Sequence, residues 1–237
     1  AEAEPEGELG QALSFLVAEL ADKSVEDMLA ELVARRSDLR NWLEEAGGVD
    51  TALAELAAAF GLAPGETLAG IEARMRDESV FDETRARAAA AALAEGGKTD
   101  GERADKLLAG LTAQRFADWR ASWLAAFFTL TLSPVKSLAT KAVASAHPQL
   151  AEDLLAEQER LTRLLERRRA AYALAGTAAA LRLADAMLLA YEGEKTRRGL
   201  MDFEDLILRT GALLSRSEAA LWVQYKLDNG LDHILVD

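Results

Sequence analysis

The 237-residue chain has no cysteine and only two histidines, set far apart. That removes disulfides, thiolate metal sites and cysteine nucleophiles together, and leaves no zinc-binding set. Strand formers are almost as scarce: three Ile and nine Val stand against 49 Ala and 40 Leu. The balance favours helices and excludes an all-β or ordinary doubly wound fold. No uninterrupted apolar run approaches the roughly 18 residues of a membrane span, and no leader with a cleavage site opens the chain. The expectation is a protein of the cytoplasm with one to two domains.

Charge is the next asymmetry. Against 40 acids there are 27 lysines and arginines, a net −13. Residues 1–60 carry 14 acids and four bases, whereas residues 160–198 carry nine bases and four acids. The overall balance speaks against free-standing, charge-driven nucleic-acid binding, yet a local basic stretch can still follow a phosphate backbone inside a larger assembly. The chain lacks an initiating Met and reaches Asp237 directly after an apolar run. Both features read as a piece of a longer protein.

Periodicity is helical almost throughout. Ser24 with Asp27 three positions on reads as an N-cap pair, and glycine clusters then punctuate short helices over 38–46, 49–60, 66–76 and 77–95. Two more are expected over about 102–118 and 119–130, closed by Ser133-Pro134. From Pro148 to about Tyr191, Leu150, Leu154, Leu161, Leu165, Tyr172, Ala179 and Leu183 keep one stripe, with Gly176 marking a bend or a close helix crossing. Asp202 and Asp205 read as the cap and third position of a further helix, and Ser215 with Glu218 as the start of another. The run His233-Ile234-Leu235-Val236-Asp237 is the one credible strand, of the buried parallel type.

Several motifs invite chemistry. Glu95-Gly96-Gly97-Lys98-Thr99 resembles the end of a phosphate-binding loop, but position 92 is Ala and helical sequence precedes it, so an interhelical turn is expected and Lys98 is read as a surface residue. The stripe Phe116, Trp119, Trp123, Phe127 and Leu130 is read as core rather than as a base-stacking platform. Arg167, Arg168 and Arg169, with Lys136 and Lys141, are the candidate phosphate contacts, against the plain reading of a solvated face. His147 and His233 are read as structural. Asp237, at the end of an apolar strand, stands where nucleotide hydrolases hold Mg²⁺.

The segment Leu200-Met201-Asp202-Phe203-Glu204-Asp205-Leu206-Ile207, followed by Tyr225 and then by Ile234-Leu235-Val236-Asp237, resembles the approach to motif II in UvrD/Rep-type superfamily I DNA helicases. Phe127 to Leu130 and Pro134 to Lys141, with the long helix after Pro148, are similar to the AddA-type helicase–nuclease subunit of bacterial double-strand-break repair; Val135 stands where that family tends to carry a base. The resemblance implies a mostly α architecture. Residues 1–199 would be an irregular multi-helix bundle, the accessory insertion of the first motor domain. Residues 200–237 would return to the motor core through one terminal strand of an incomplete α/β domain. It further implies an ATP-dependent DNA helicase with Mg and ATP as cofactors, DNA and an AddB-type subunit as partners, and a nuclease in another domain. Asp202, Phe203 and Asp205 would shape the return segment, and Asp237 would supply a carboxylate linked to Mg²⁺. No catalytic residue would fall within the chain, which alone would be inactive. The competing readings are a self-contained helical interaction module and an independent ATPase built on Lys98 and Asp237.

Overall fold

The computed structural model describes residues 7–20, 22–216, 222–223 and 225–226. Eleven helices are found among them: α1 (Glu8–Glu19), α2 (Asp22–Ala34), α3 (Arg36–Ala46), α4 (Val49–Ala59), α5 (Leu68–Asp77), α6 (Glu83–Ala94), α7 (Lys98–Thr112), α8 (Phe116–Phe127), α9 (Lys141–Ala146), α10 (Pro148–Arg198) and α11 (Phe203–Arg216). The chain is mostly helical, and no strand occurs among the described residues, where one antiparallel bridge joins Phe128 to Pro134. The strand expected over 233–237 lies outside the described residues. Two compact units are present, one of Ala3–Leu183 and one built on Ala184–Asp237, and α10 runs through the boundary.

Several boundaries differ from expectation, some with a local cause. Ser24 is not a cap: it lies inside α2, which already begins at Asp22. The helix expected from 77 begins only at Glu83, where the Asp82 carboxylate accepts from the Arg85 amide at 2.8 Å. Residues 78–82 are drawn out of helical form because Ser79 Oγ and the Val80 amide both donate to Glu157. The break expected near 118 falls at 113–115, where Arg76 donates to the carbonyls of Ala113 and Gln114. α10 outlasts its expected end by seven residues and stays helical through Gly176, where a Cβ would lie 3.7 Å from the Phe15 ring of α1. α10 holds no uninterrupted apolar run of membrane-spanning length, yet it is long and apolar enough, by length and composition, to cross a membrane. Arg182 lies within that stretch and pairs with Asp50 at 3.3 Å.

In the unit of residues 3–183, the core forms where α5 to α8 close on the first half of α10. Ile71, Met75, Leu93, Leu107, Trp123, Phe127, Leu154 and Leu161 are all buried there. Each such aliphatic side chain contributes on the order of 1.5–3 kcal/mol. The aromatic stripe of α8 is core, as expected: Trp119 stacks on Trp123 at 6.1 Å, and Phe81 meets Trp123 edge-on at 6.4 Å. Leu130 departs from that stripe, because α8 ends at Phe127 and Leu130 is fully exposed in the following turn. α7 and α8 approach so closely that a Cβ on Gly110 would lie 2.7 Å from the Trp123 ring. A smaller cluster joins Ala12 and Leu16 of α1 and Val25 of α2 to Ala179 of α10.

Two carboxylates, Asp100 and Glu157, are fully buried among the described residues of this unit, and Glu157 is the better supplied with donors. Glu157, fully buried, accepts from Ser79 Oγ and the Val80 amide at 3.0 Å, from the Trp123 indole at 3.0 Å, and twice from Arg160 at 2.8 and 2.9 Å. Burial alone would raise its pKa, but the Arg160 hydrogen bonds and charge, the Val80 amide and the indole outweigh that and hold it below the usual carboxylate value. Arg160 also donates to the carbonyls of Arg74 and Met75, closing the end of α5. Glu157→Gln removes the negative charge and leaves the Arg160 guanidinium without its counterion. The expected loss is about 3 kcal/mol, read as a lower urea midpoint with unchanged slope.

Candidate nucleic-acid interface

Three groups of side chains answer to the sequence-based site residues. The first is the irregular segment between α8 and α9, which carries Lys136 and leads into Lys141. Its backbone is held from beneath by buried side chains. Arg103 of α7 donates to the carbonyls of Ala126, Ser137 and Leu138 at 2.8, 3.1 and 2.6 Å. Gln158 of α10 donates to the carbonyls of Phe127 and Val135 at 2.8 and 3.1 Å, and the Thr140 amide donates to Asp100 at 3.0 Å. Burial lowers the pKa of Arg103, and the charge of Asp100 opposes the shift. The tip closes on itself through Thr129, Thr131 and Ser133, with Leu132 at φ 57°, a left-handed conformation unusual for a residue with a branched side chain. Lys136 and Lys141 are exposed on this fixed platform, with no hydrogen-bond or ion-pair partner among the described residues.

The second group is the basic face of α10. Arg167 makes two hydrogen bonds to Glu66, and Arg168 pairs with Glu72 at 2.6 Å. These two arginines therefore fasten α10 to α5 and the segment before it. Arg169, by contrast, is exposed and has no partner among the described residues. Arg163, one turn earlier and not singled out from sequence, is exposed and equally unpartnered among them. The hydrogen bonds of Arg167 are the main reason the Glu66 carboxyl is held at about 2.

The third group lies in the unit that begins at Ala184. Asp202 caps α11: its carboxylate accepts from the Asp205 amide at 3.0 Å, while the Asp205 carboxylate accepts from the Asp202 amide at 3.0 Å. This reciprocal pair follows the expected cap and third-position pattern. Sequence reasoning missed its counter-charge, Lys195, which donates to Asp205 at 2.8 and 2.9 Å and to Asp202 at 3.2 Å and pairs with Glu192 at 2.9 Å. Burial lowers the lysine's pKa, but the hydrogen bonds of Asp205, Glu192 and Asp202 outweigh burial and leave it above the ordinary value. The available signal was spacing: Lys195 lies seven residues before Asp202 and ten before Asp205. Phe203 is strongly exposed on α11, as is Ile207.

Glu95, Gly96 and Gly97 form the turn between α6 and α7, whereas Lys98 and Thr99 already belong to the first turn of α7, with Lys98 exposed. His147 bonds Glu95 at 3.1 Å. Among the described residues no cluster of His, Asp or Glu is arranged to hold a metal ion. Asp237 and His233 lie outside them.

The Glu66 carboxyl has a testable consequence. A depressed carboxyl pKa stabilises the fold fully above the ordinary value of 4.5, and that contribution fades as pH falls toward about 2. Thermal melts should show the wild-type protein losing more stability than Glu66→Gln between about pH 5 and pH 2.5. Equal losses would mean that the Arg167 contact contributes nothing in solution.

No protein-family model, curated protein or solved structure matches the chain.

Proposed function

We propose that the chain is a DNA-handling helical segment of an ATP-dependent DNA helicase of the UvrD/Rep type, similar to the AddA-type subunit of double-strand-break repair. The observation that carries this reading is the reciprocal Asp202–Asp205 cap held by Lys195. These are the acids of the segment on which the resemblance rests, and their side chains are committed to shaping the entry to α11 rather than to chemistry. In this reading Mg and ATP belong to the motor as a whole, with Asp237 contributing one carboxylate, and the nuclease and the AddB-type partner belong to the complete enzyme. The 237-residue chain alone hydrolyses no ATP.

DNA would be met by cations that the fold does not consume. Lys136, Lys141 and Arg169 qualify, since all three are exposed and unpartnered among the described residues. Arg167 and Arg168 would act chiefly by fixing α10. A second reading, a helical protein-interaction module, is favoured by the apolar exposure of Phe203, Leu206 and Ile207 on α11.

Fluorescence anisotropy with a labelled single-stranded oligonucleotide separates the two. The triple variant Lys136→Ala, Lys141→Ala, Arg169→Ala should keep the wild-type melting temperature and bind at least about tenfold more weakly, with a salt slope flatter by about two units. Absence of binding by the wild-type chain at low salt would overturn the DNA reading and leave the interaction module.

A further inference from the structure

The arginines that fasten α10 to α5 also line a cavity that is partly open to solvent. Its volume is about 490 Å³, within the range of roughly 300–1,000 Å³ typical of ligand pockets. Arg74, Arg160, Arg163 and Arg167 line it, with Glu78 and Leu164. Arg160, Arg163 and Arg167 follow helical spacing on one face of α10, and Arg74 faces them from the last turn of α5.

Three of the four guanidinium groups have structural work. Arg160 is bound to Glu157 and to the carbonyls that end α5. Arg167 is bound to Glu66, and Arg74 is shared between Glu66 at 3.2 Å and Glu78 at 3.3 Å. Three carboxylates thus serve three of the four guanidinium groups. The uncompensated charge is on Arg163, which has no partner among the described residues. Its neighbours are oriented by their own ion pairs, and each guanidinium keeps N–H groups beyond those its carboxylate takes. Nothing in the packing of α5 on α10 calls for a fourth arginine: α5 is already closed by Arg160, and Glu66 is already neutralised.

We propose that this cavity binds a phosphate group, with Arg163 as the primary donor and Arg74 and Arg167 presenting further N–H groups at its rim. The planar, permanently charged guanidinium matches phosphate oxygens in pairs. Two sources share that chemistry, a phosphate of a DNA backbone and a free oligophosphate. The DNA source rests on the function proposed above, whereas the phosphate site itself does not.

The test uses the whole 237-residue chain and two probes at constant ionic strength, inorganic pyrophosphate by calorimetry and a fluorescein-labelled dT oligonucleotide by anisotropy. Arg163→Gln should weaken binding about tenfold, the worth of one charge-assisted contact, with an unchanged melting temperature. Glu78→Gln removes the carboxylate at the cavity wall and should tighten binding, a gain that damaged folding cannot imitate. Arg163-dependent binding of both probes supports a backbone-phosphate site. Arg163-dependent binding of pyrophosphate alone supports the phosphate site and counts against DNA as its ligand. Arg163-dependent binding of the oligonucleotide alone supports a site that requires a polymeric phosphate. If neither probe binds the wild-type chain, or if both bind Arg163→Gln as tightly as wild type, the proposal is overturned.

Discussion

A single buried charge organises the larger unit. Glu157 lies in the middle of the apolar face of α10 and touches the linker before α6, the indole at the centre of α8 and, through Arg160, the end of α5. A carboxylate placed there without donors would cost several kcal/mol, so the fold is compatible with it only when these elements arrive together and in register. That requirement explains why residues 78–82 are not helical despite their position before an alanine-rich run: their donors are needed at the carboxylate. It also explains why the indole of Trp123 is buried without being orphaned.

The same principle recurs at the next residue of α10. Gln158 and, from α7, Arg103 supply donors to carbonyls of the segment between α8 and α9, which has no regular partner of its own. Buried backbone carbonyls in an irregular segment must be satisfied somewhere, and here long side chains from flanking helices take the place of a sheet or helix ladder. The balance is not complete, for one oxygen of Asp100 is buried with no hydrogen-bond partner. Gly96 lies against that oxygen, where a Cβ would come within 2.3 Å, so the turn between α6 and α7 tolerates only glycine at this point.

How much of this could be read from residues alone follows from the range of each interaction. Helices were legible because alanine and leucine repeat at helical spacing over every short window. The Asp202–Asp205 cap was legible because both partners lie within three residues of each other. The fates of Arg167 and Arg168 were not, since Glu66 and Glu72 lie about a hundred residues away and nothing local distinguishes a paired arginine from a free one. Glu157 and Gln158 left a trace. The apolar stripe of α10 runs Leu150, Leu154, then Leu161, and the turn it skips is occupied by these two polar residues on the buried face. An interruption in an otherwise regular stripe signals a buried polar contact as readily as it signals solvent.

Net charge is a poor guide to what such a surface presents, because ion pairing removes charges selectively. Glu66 neutralises Arg167 and shares Arg74, Glu72 takes Arg168, and Asp50 takes Arg182. The acids of the first third of the chain are therefore partly spent on the bases of α10, and a tightly paired carboxylate adds little to the field seen by an approaching anion. What remains is decided residue by residue. Arg163, Arg169, Lys136 and Lys141 keep their full charge among the described residues of a protein whose total is −13. An acidic protein can in this way keep individual unpaired cations on its surface, because part of its acid is bound to its own helices.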